Sequence, residues 1–210
     1  MIQDTFIHPY FLVPVYYAVS YLAGSVNVSI VATQALKLPD PRKNGSGNAG
    51  ATNLLRTAGP KLAIPVLLLD FGKAFLVLWG ASLLLPSPWW VGAVFPLLAG
   101  NIWPVFHRFK GGKGVAAVVG AHLAVSPWIV LSGGSVFLMT LAITRRVSLS
   151  SLLMICSYPI WYYLFGLPFQ VVVLGLLLIP MVMWTHRHNI GRLLRGQEPP
   201  ITFRGRGASK

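Results

Sequence analysis

Apolar residues recur along this chain in windows near 9–36, 62–85, 90–107, 115–144, 149–165 and 168–185, almost free of charge. Runs of this length and composition are what a bilayer demands of a chain that enters it. Lipid offers no partner to backbone N–H and C=O groups, so each run must close its own hydrogen bonds, as a helix does. The rest of the composition agrees. The chain is 55% hydrophobic and only 10% charged, where a soluble domain carries roughly a quarter charged residues. The expectation is an all-α, polytopic integral membrane protein.

The basic residues fix the count of crossings. Segments 37–61, 108–114 and 186–210 are basic, and Arg145-Arg146 adds a fourth positive point, whereas the connections 86–89 and 166–168 carry no charge. The window 115–144 is 30 residues long and holds Ser126-Pro127 near its middle. One crossing takes about 20 residues, and a Ser-Pro pair marks a turn. Read as a hairpin, that window puts every basic connection on one side, as the positive-inside rule requires. About seven transmembrane helices result, with the N-terminus outside and the C-terminus cytoplasmic. Gly24, Asn27 and Ser29 interrupt the first window, and two spans are short, so partial or re-entrant segments are expected. Residues 1–201 read as a single transmembrane domain and 202–210 as a basic cytoplasmic tail. Residues 1–8 hold Asp4 and no lysine or arginine, so they lack the basic start of a signal peptide.

The net charge of +13 does not indicate nucleic acid, because the cations lie between apolar runs, where they meet headgroups or phosphates. Cys156 stands alone in an apolar run and is expected to be buried packing; it forms no internal disulfide. Four acidic residues and no histidine pair at ligand spacing leave no metal site to expect, and no cofactor is implied.

Chemistry concentrates in two glycine-rich loops. The first runs Asn44-Gly45-Ser46-Gly47-Asn48-Ala49-Gly50-Ala51-Thr52-Asn53, with Arg42 and Lys43 before it and Arg56 after it. Glycines let N–H groups crowd around an anion; Ser46, Asn48, Thr52 and Asn53 add polar groups, and Arg56 can grip a phosphate with two bonds. It is not a Walker A loop, because the closing lysine and hydroxyl are missing. A solvated turn with topology-setting charges is the plainer account. The second loop, Phe109-Lys110-Gly111-Gly112-Lys113-Gly114, is a candidate nest of Gly111, Gly112 and Gly114 around Lys113, with a helix beginning near Val115. It too could be an ordinary turn.

Other candidates are sparser. Asp70 and Lys73 sit one turn apart inside an apolar window, which makes them either a structural salt bridge or part of the chemistry. Ser148 is expected to cap a helix, and Ser151, one turn further in, to face a ligand. His186 and Asn189 share a helix face where the last span ends. His186 is a candidate general base or hydroxyl partner, with an interface histidine as the alternative, and His122 reads as packing.

The runs from Asp40 to Asn53, from Trp103-Pro104-Val105-Phe106 to Val115, Ser148-Leu149-Ser150-Ser151, and His186-Arg187-His188-Asn189-Ile190-Gly191-Arg192-Leu193-Leu194 together resemble the bacterial acyl-phosphate:glycerol-3-phosphate acyltransferase (PlsY) family, in order, over about 24–198. The resemblance implies a seven-helix enzyme of the bacterial inner membrane. It would move a fatty acyl group from acyl phosphate to the 1-hydroxyl of glycerol 3-phosphate, giving lysophosphatidic acid and phosphate without coenzyme A or acyl carrier protein. By matching positions, Ser46, Asn48, Gly50, Thr52 and Asn53 would cradle the acyl phosphate. Arg56 and Lys113 would hold phosphate, and Ser151, His186 and Asn189 would line the glycerol phosphate site. The sequence departs from the family pattern at Asn101 (usually histidine), Thr185 (arginine), Ala74 (glycine), and Asn27 and Ser29 (proline and glycine). No Ser-His-Asp triad is expected, because no acidic residue lies near His186 in sequence and only Asp40 and Asp70 remain as carboxylate partners in space. Direct transfer without an acyl-enzyme is expected, with the proton going to substrate phosphate or to His186. The rival reading is a transporter or channel for phosphate-bearing anions.

Overall fold

A computed structural model describes residues 9–201, and within them the chain is helical in every expected window. The expectations for residues 1–8 and for the tail 202–210 lie outside the described residues. Helix α1 (Pro9–Ser25) gives way to α2 (Val28–Ala35) across a bend of 45°. Asn27 makes that break: its side chain accepts the Ile30 N–H at 3.1 Å as an N-cap, while its amide donates to the Ala49 carbonyl at 3.1 Å. This residue, a departure from the family pattern, thus both starts α2 and anchors the first glycine-rich loop.

After that loop come α3 (Ala51–Ala58) and α4 (Pro60–Leu84), then α5 (Trp89–Gly92) and α6 (Val94–Ile102). The second loop leads into α7 (Val115–Val125), which turns at Ser126 into α8 (Pro127–Thr144). Helices α9 (Val147–Leu164), α10 (Phe169–Thr185) and α11 (Arg187–Leu194) complete the described chain. Proline sits in the first turn of α4 and α8, where the missing N–H costs nothing.

Among the described residues, four helical segments are long and apolar enough to cross a bilayer: Pro60–Leu84, Trp89–His107, Pro127–Thr144 and Val147–Leu164. Two bent pairs, α1 with α2 and α10 with α11, bring the number up to six. The hairpin expected at 115–144 is present, but its first arm is short. At 11 residues, α7 extends about 16 Å, roughly half the hydrocarbon thickness.

Small residues let these helices approach closely. A Cβ on Gly24 would lie 2.1 Å from the Leu97 carbonyl oxygen, and one on Gly100 would lie 2.1 Å from that of Tyr21, so α1 and α6 cross backbone to backbone. A Cβ on Gly120 would lie 2.3 Å from the Phe71 carbonyl oxygen, which presses α7 onto α4. Leu78, Leu97, Leu98, Val118 and Ile129 form the buried centre. His122 packs there as expected, with Nδ1 donating to the Val118 carbonyl at 2.6 Å and Nε2 paired with the Tyr162 hydroxyl. Cys156 does not pack there: it is exposed on the outer surface of α9.

The basic connections touch one another at one end of the bundle. Arg42 donates to the carbonyls of His107 (3.0 Å) and Lys110 (3.4 Å), Lys113 bonds Asn189, and the Ile201 N–H donates to the Arg145 carbonyl at 2.7 Å. Repulsion among these cations is offset by the carbonyls and by the acidic side chains Asp40 and Glu198.

Candidate active site

A cavity of about 460 Å³ opens at this end of the bundle. Ser46, Asn48, Gly50, Thr52, Asn53 and Arg56 reach it from the first loop and α3; Gly112, Lys113 and Gly114 reach it from the second; Ser151, His186 and Asn189 complete the polar wall. Residues scattered over more than 140 positions thus meet in one place. Gly111 alone among the expected residues does not line it.

Helix ends dominate the electrostatics. Helices α3, α7 and α9 all begin at the cavity, with N-caps Gly50, Gly114 and Arg146, and none has a side-chain cap. Their first N–H groups are left for a ligand, and the positive ends of three dipoles face one space. The second loop works differently from expectation. The Gly111 and Gly112 N–H groups donate to the carbonyls of Ile102 (3.1 Å) and Asn101 (2.9 Å), so they are not free to bind an anion. These glycines are needed for close approach instead: a Cβ on Gly111 would lie 2.2 Å from the Asn101 carbonyl oxygen. The cation Lys113 and the start of α7 are what this loop presents.

The first loop is held from within by Asn53. Its Oδ1 accepts the Ser46 N–H at 2.8 Å, and its Nδ2 donates to the carbonyls of Pro41 (2.7 Å) and Asn44 (2.9 Å). With its amide nitrogen and the Ser46 N–H so engaged, and 1% of its surface exposed, Asn53 shapes the loop more than it offers itself to a ligand. Gly45 and Gly47 adopt φ of 62° and 73°, the left-handed conformation that glycine takes at little cost. Arg56 makes no hydrogen bond or ion pair with the other described residues, so its guanidinium is available.

Opposite the loops stands a network that the sequence did not suggest. Lys113 Nζ donates to Asn189 Oδ1, and Asn189 Nδ2 donates to Glu198 Oε1 at 2.6 Å. The Ser148 hydroxyl donates to the same oxygen at 2.6 Å, and Arg192 Nε donates to Oε2 at 2.7 Å. Ser148 is therefore a partner of a buried carboxylate and not the helix cap expected of it; Arg146 holds the cap position. Burial pushes the Glu198 carboxyl up, but bonds from Ser148, Asn189 and Arg192 outweigh it and hold the group below its usual range. Asp40, by contrast, is taken by Arg42 in a two-bond pair. The carboxylate in the same network as Asn189 is thus Glu198, and the shortlist of Asp40 and Asp70 was incomplete. A rare acidic residue nine positions past Asn189, in an otherwise basic segment, was the available signal.

Asp70 also lines the cavity, and Lys73 Nζ bonds both Asp70 Oδ1 (3.0 Å) and the Val26 carbonyl (2.7 Å). The pair is a salt bridge that fastens the break between α1 and α2 to α4. Asn101 lines the cavity beside Gly112, and Thr185 donates to the Lys113 carbonyl at 3.2 Å, so two of the departures from the family pattern support the second loop directly.

Lys113 is buried, which lowers its pKa to about 8; Glu198 pulls it up, while Arg192 and Arg56 push it further down. His186 is lowered to about 4, by burial first and then by the Lys113 charge. Its Nδ1 donates to the Val182 carbonyl at 2.9 Å, which leaves Nε2 as the nitrogen with a lone pair near neutral pH.

The sequence model of the glycerol-3-phosphate acyltransferase family matches residues 14–196. This chain belongs to that family. The glycerol-3-phosphate acyltransferase of Thioalkalivibrio sulfidiphilus is 42% identical over 183 residues, covering 87% of this chain and 90% of the relative. That of Gloeobacter violaceus is 40% identical over 190 residues, covering 88% and 93%. The fold matches a crystal structure of PlsY, an integral membrane glycerol 3-phosphate acyltransferase, in its glycerol 3-phosphate form. The TM-score is 0.86 at 35% identity, over 91% of this chain and 96% of that one. The lysophosphatidic acid form gives 0.84 at 34% identity over the same shares. The helical membrane architecture and the glycerol-3-phosphate acyltransferase activity expected from the sequence hold, and the transporter reading falls away.

Proposed function

We propose that the acyl donor is an acyl phosphate, that neither coenzyme A nor acyl carrier protein takes part, and that the reaction occurs at the cytoplasmic face of the bacterial inner membrane. One observation carries this reading. Three uncapped helix N-termini, Arg56 and Lys113 all face a single cavity whose other end is apolar, lined by Leu67, Phe71, Val119, Val130, Phe137 and Leu138. Such a space suits two phosphate groups and one hydrocarbon chain together.

In this reading the start of α3, with Ser46, Asn48, Gly50 and Thr52, holds the acyl phosphate with Arg56. Lys113, Ser151 and Asn189, which line the same cavity, hold glycerol 3-phosphate. The 1-hydroxyl oxygen attacks the acyl carbonyl carbon. The carbon–oxygen bond to phosphate breaks, phosphate leaves with the electron pair, and the hydroxyl proton passes to His186 Nε2 or to a substrate phosphate. An acyl phosphate is already activated, so alignment supplies most of the acceleration, up to about 7–11 kcal/mol for well-placed reactants. Fixed dipoles and cations meet the charge that grows on the leaving phosphate.

The test is purified protein in detergent with palmitoyl phosphate and glycerol 3-phosphate. The expected result is lysophosphatidic acid and phosphate in equal amounts, with no product from palmitoyl coenzyme A. Arg56→Ala is expected to abolish turnover in a protein that remains folded. Product from palmitoyl coenzyme A would overturn the donor assignment, and full activity of Arg56→Ala would remove the phosphate grip.

A further inference from the structure

Gly133 and Gly134 are neighbours in α8 with opposite surroundings. A Cβ on Gly133 would lie 2.3 Å from Cε1 of Tyr158, so the packing of α8 on α9 demands glycine there. A Cβ on Gly134 would meet no atom within 4 Å. No helix contact therefore accounts for the missing side chain, although glycine inside a helix is disfavoured relative to alanine. Gly134 does line the apolar end of the cavity. It sits in a stripe with Val130, Phe137 and Leu138, spaced three and four residues apart and so on one helix face. Leu67 and Phe71 of α4 line the same space.

Depth gives this position its meaning. Gly134 lies ten residues before Thr144, the cytoplasmic-loop end of α8, or roughly 15 Å along the helix. A hydrocarbon chain entering from the polar end passes Phe137 first, then the bare turn at Gly134, then Val130.

We propose that Gly134 sets the length of acyl chain this protein accepts, by leaving one turn of α8 without a side chain so that a long saturated chain continues toward Val130. The proposal rests on the acyl-transfer reading above. A large side chain at 134 fills the passage and selects short chains, while the polar end of the cavity is untouched. The occupant is a fatty acyl chain, in donor and product alike.

Gly134→Leu and Gly134→Ala are compared with the unchanged protein on octanoyl and palmitoyl phosphate. Gly134→Leu is expected to lower kcat/KM for palmitoyl phosphate at least roughly tenfold and to leave that for octanoyl phosphate unchanged, with Gly134→Ala between. An equal fall on both donors, or no fall on palmitoyl phosphate, overturns the proposal. Should Gly134→Leu fail to fold, Gly134→Ala over a series of chain lengths reads the same effect as a shift of preference toward shorter chains, and an unshifted preference overturns it. If the unchanged protein transfers nothing from acyl phosphate, the donor assignment fails separately. Thermal stabilisation by octanoyl and palmitoyl lysophosphatidic acid then tests Gly134 directly. Loss of only the palmitoyl stabilisation in the variant supports the proposal, and its retention overturns it.

Discussion

Lys113 carries a charge that its surroundings make costly. Burial lowers its pKa to about 8, with Glu198 opposing and Arg192 and Arg56 adding to the fall. The sign follows directly: below pH 8 the ammonium is present and attracts phosphate, and as pH rises through 8 the free protein loses it. KM for glycerol 3-phosphate is therefore expected to rise above about pH 8. Arginine stays charged throughout that range, so Lys113→Arg should flatten the alkaline limb even if its rate is lower. Initial-rate measurements between neutral and alkaline pH check this, and an alkaline limb that survives in Lys113→Arg assigns the titration to another group. The value at His186, about 4, makes it neutral across the same range, with the Nε2 lone pair able to accept a hydrogen bond.

Short and long elements share the site: α3 and α7 are short, whereas α4, α8 and α9 are long enough to cross a bilayer. Helix α7 covers about half the hydrocarbon thickness, and the loop that carries Lys113 before it packs on the end of α6 through the Ile102 and Asn101 carbonyls. The first loop is held by Asn27 from α2 and, most extensively, by Asn53. Asn53 makes two hydrogen bonds to the backbone of that loop and one to the Pro41 carbonyl just before it, each worth about 1 kcal/mol net. Asn53→Ala is expected to raise KM for acyl phosphate more than tenfold and to speed proteolysis at 44–50, with the melting temperature of the bundle little changed. Kinetics on the two substrates and limited proteolysis check this. A variant with unaltered KM would show that the loop is set by its glycines alone.

At the scale of the molecule, four basic connections gather at one end of the bundle, tied by Arg42 to the second loop, by Lys113 to Asn189 and by Ile201 to Arg145. A membrane potential and anionic lipid would place that end in the cytoplasm. In a Cys156→Ser background, single cysteines introduced at Arg145 and Gln197 should label only from the cytoplasmic side, and one at Ser87 only from the other. Labelling of Arg145→Cys from outside would break the parity of charges on which the orientation rests.

Apolar windows, the Ser126-Pro127 turn and the alternation of basic and neutral connections are local properties of the chain, because bilayer solvation and backbone hydrogen bonding act on each segment separately. They gave the helices and their order, and the glycine-rich loops gave part of the cavity wall. Glu198, the Arg42 bridge, the spent N–H groups of Gly111 and Gly112, the role of Ser148 and the exposure of Cys156 were not legible in this way. The hydrogen bonds depend on which residue arrives within reach, and the exposure of Cys156 on which helix faces stay uncovered; both are decided only when small residues such as Gly24, Gly100 and Gly120 let the helices close on one another.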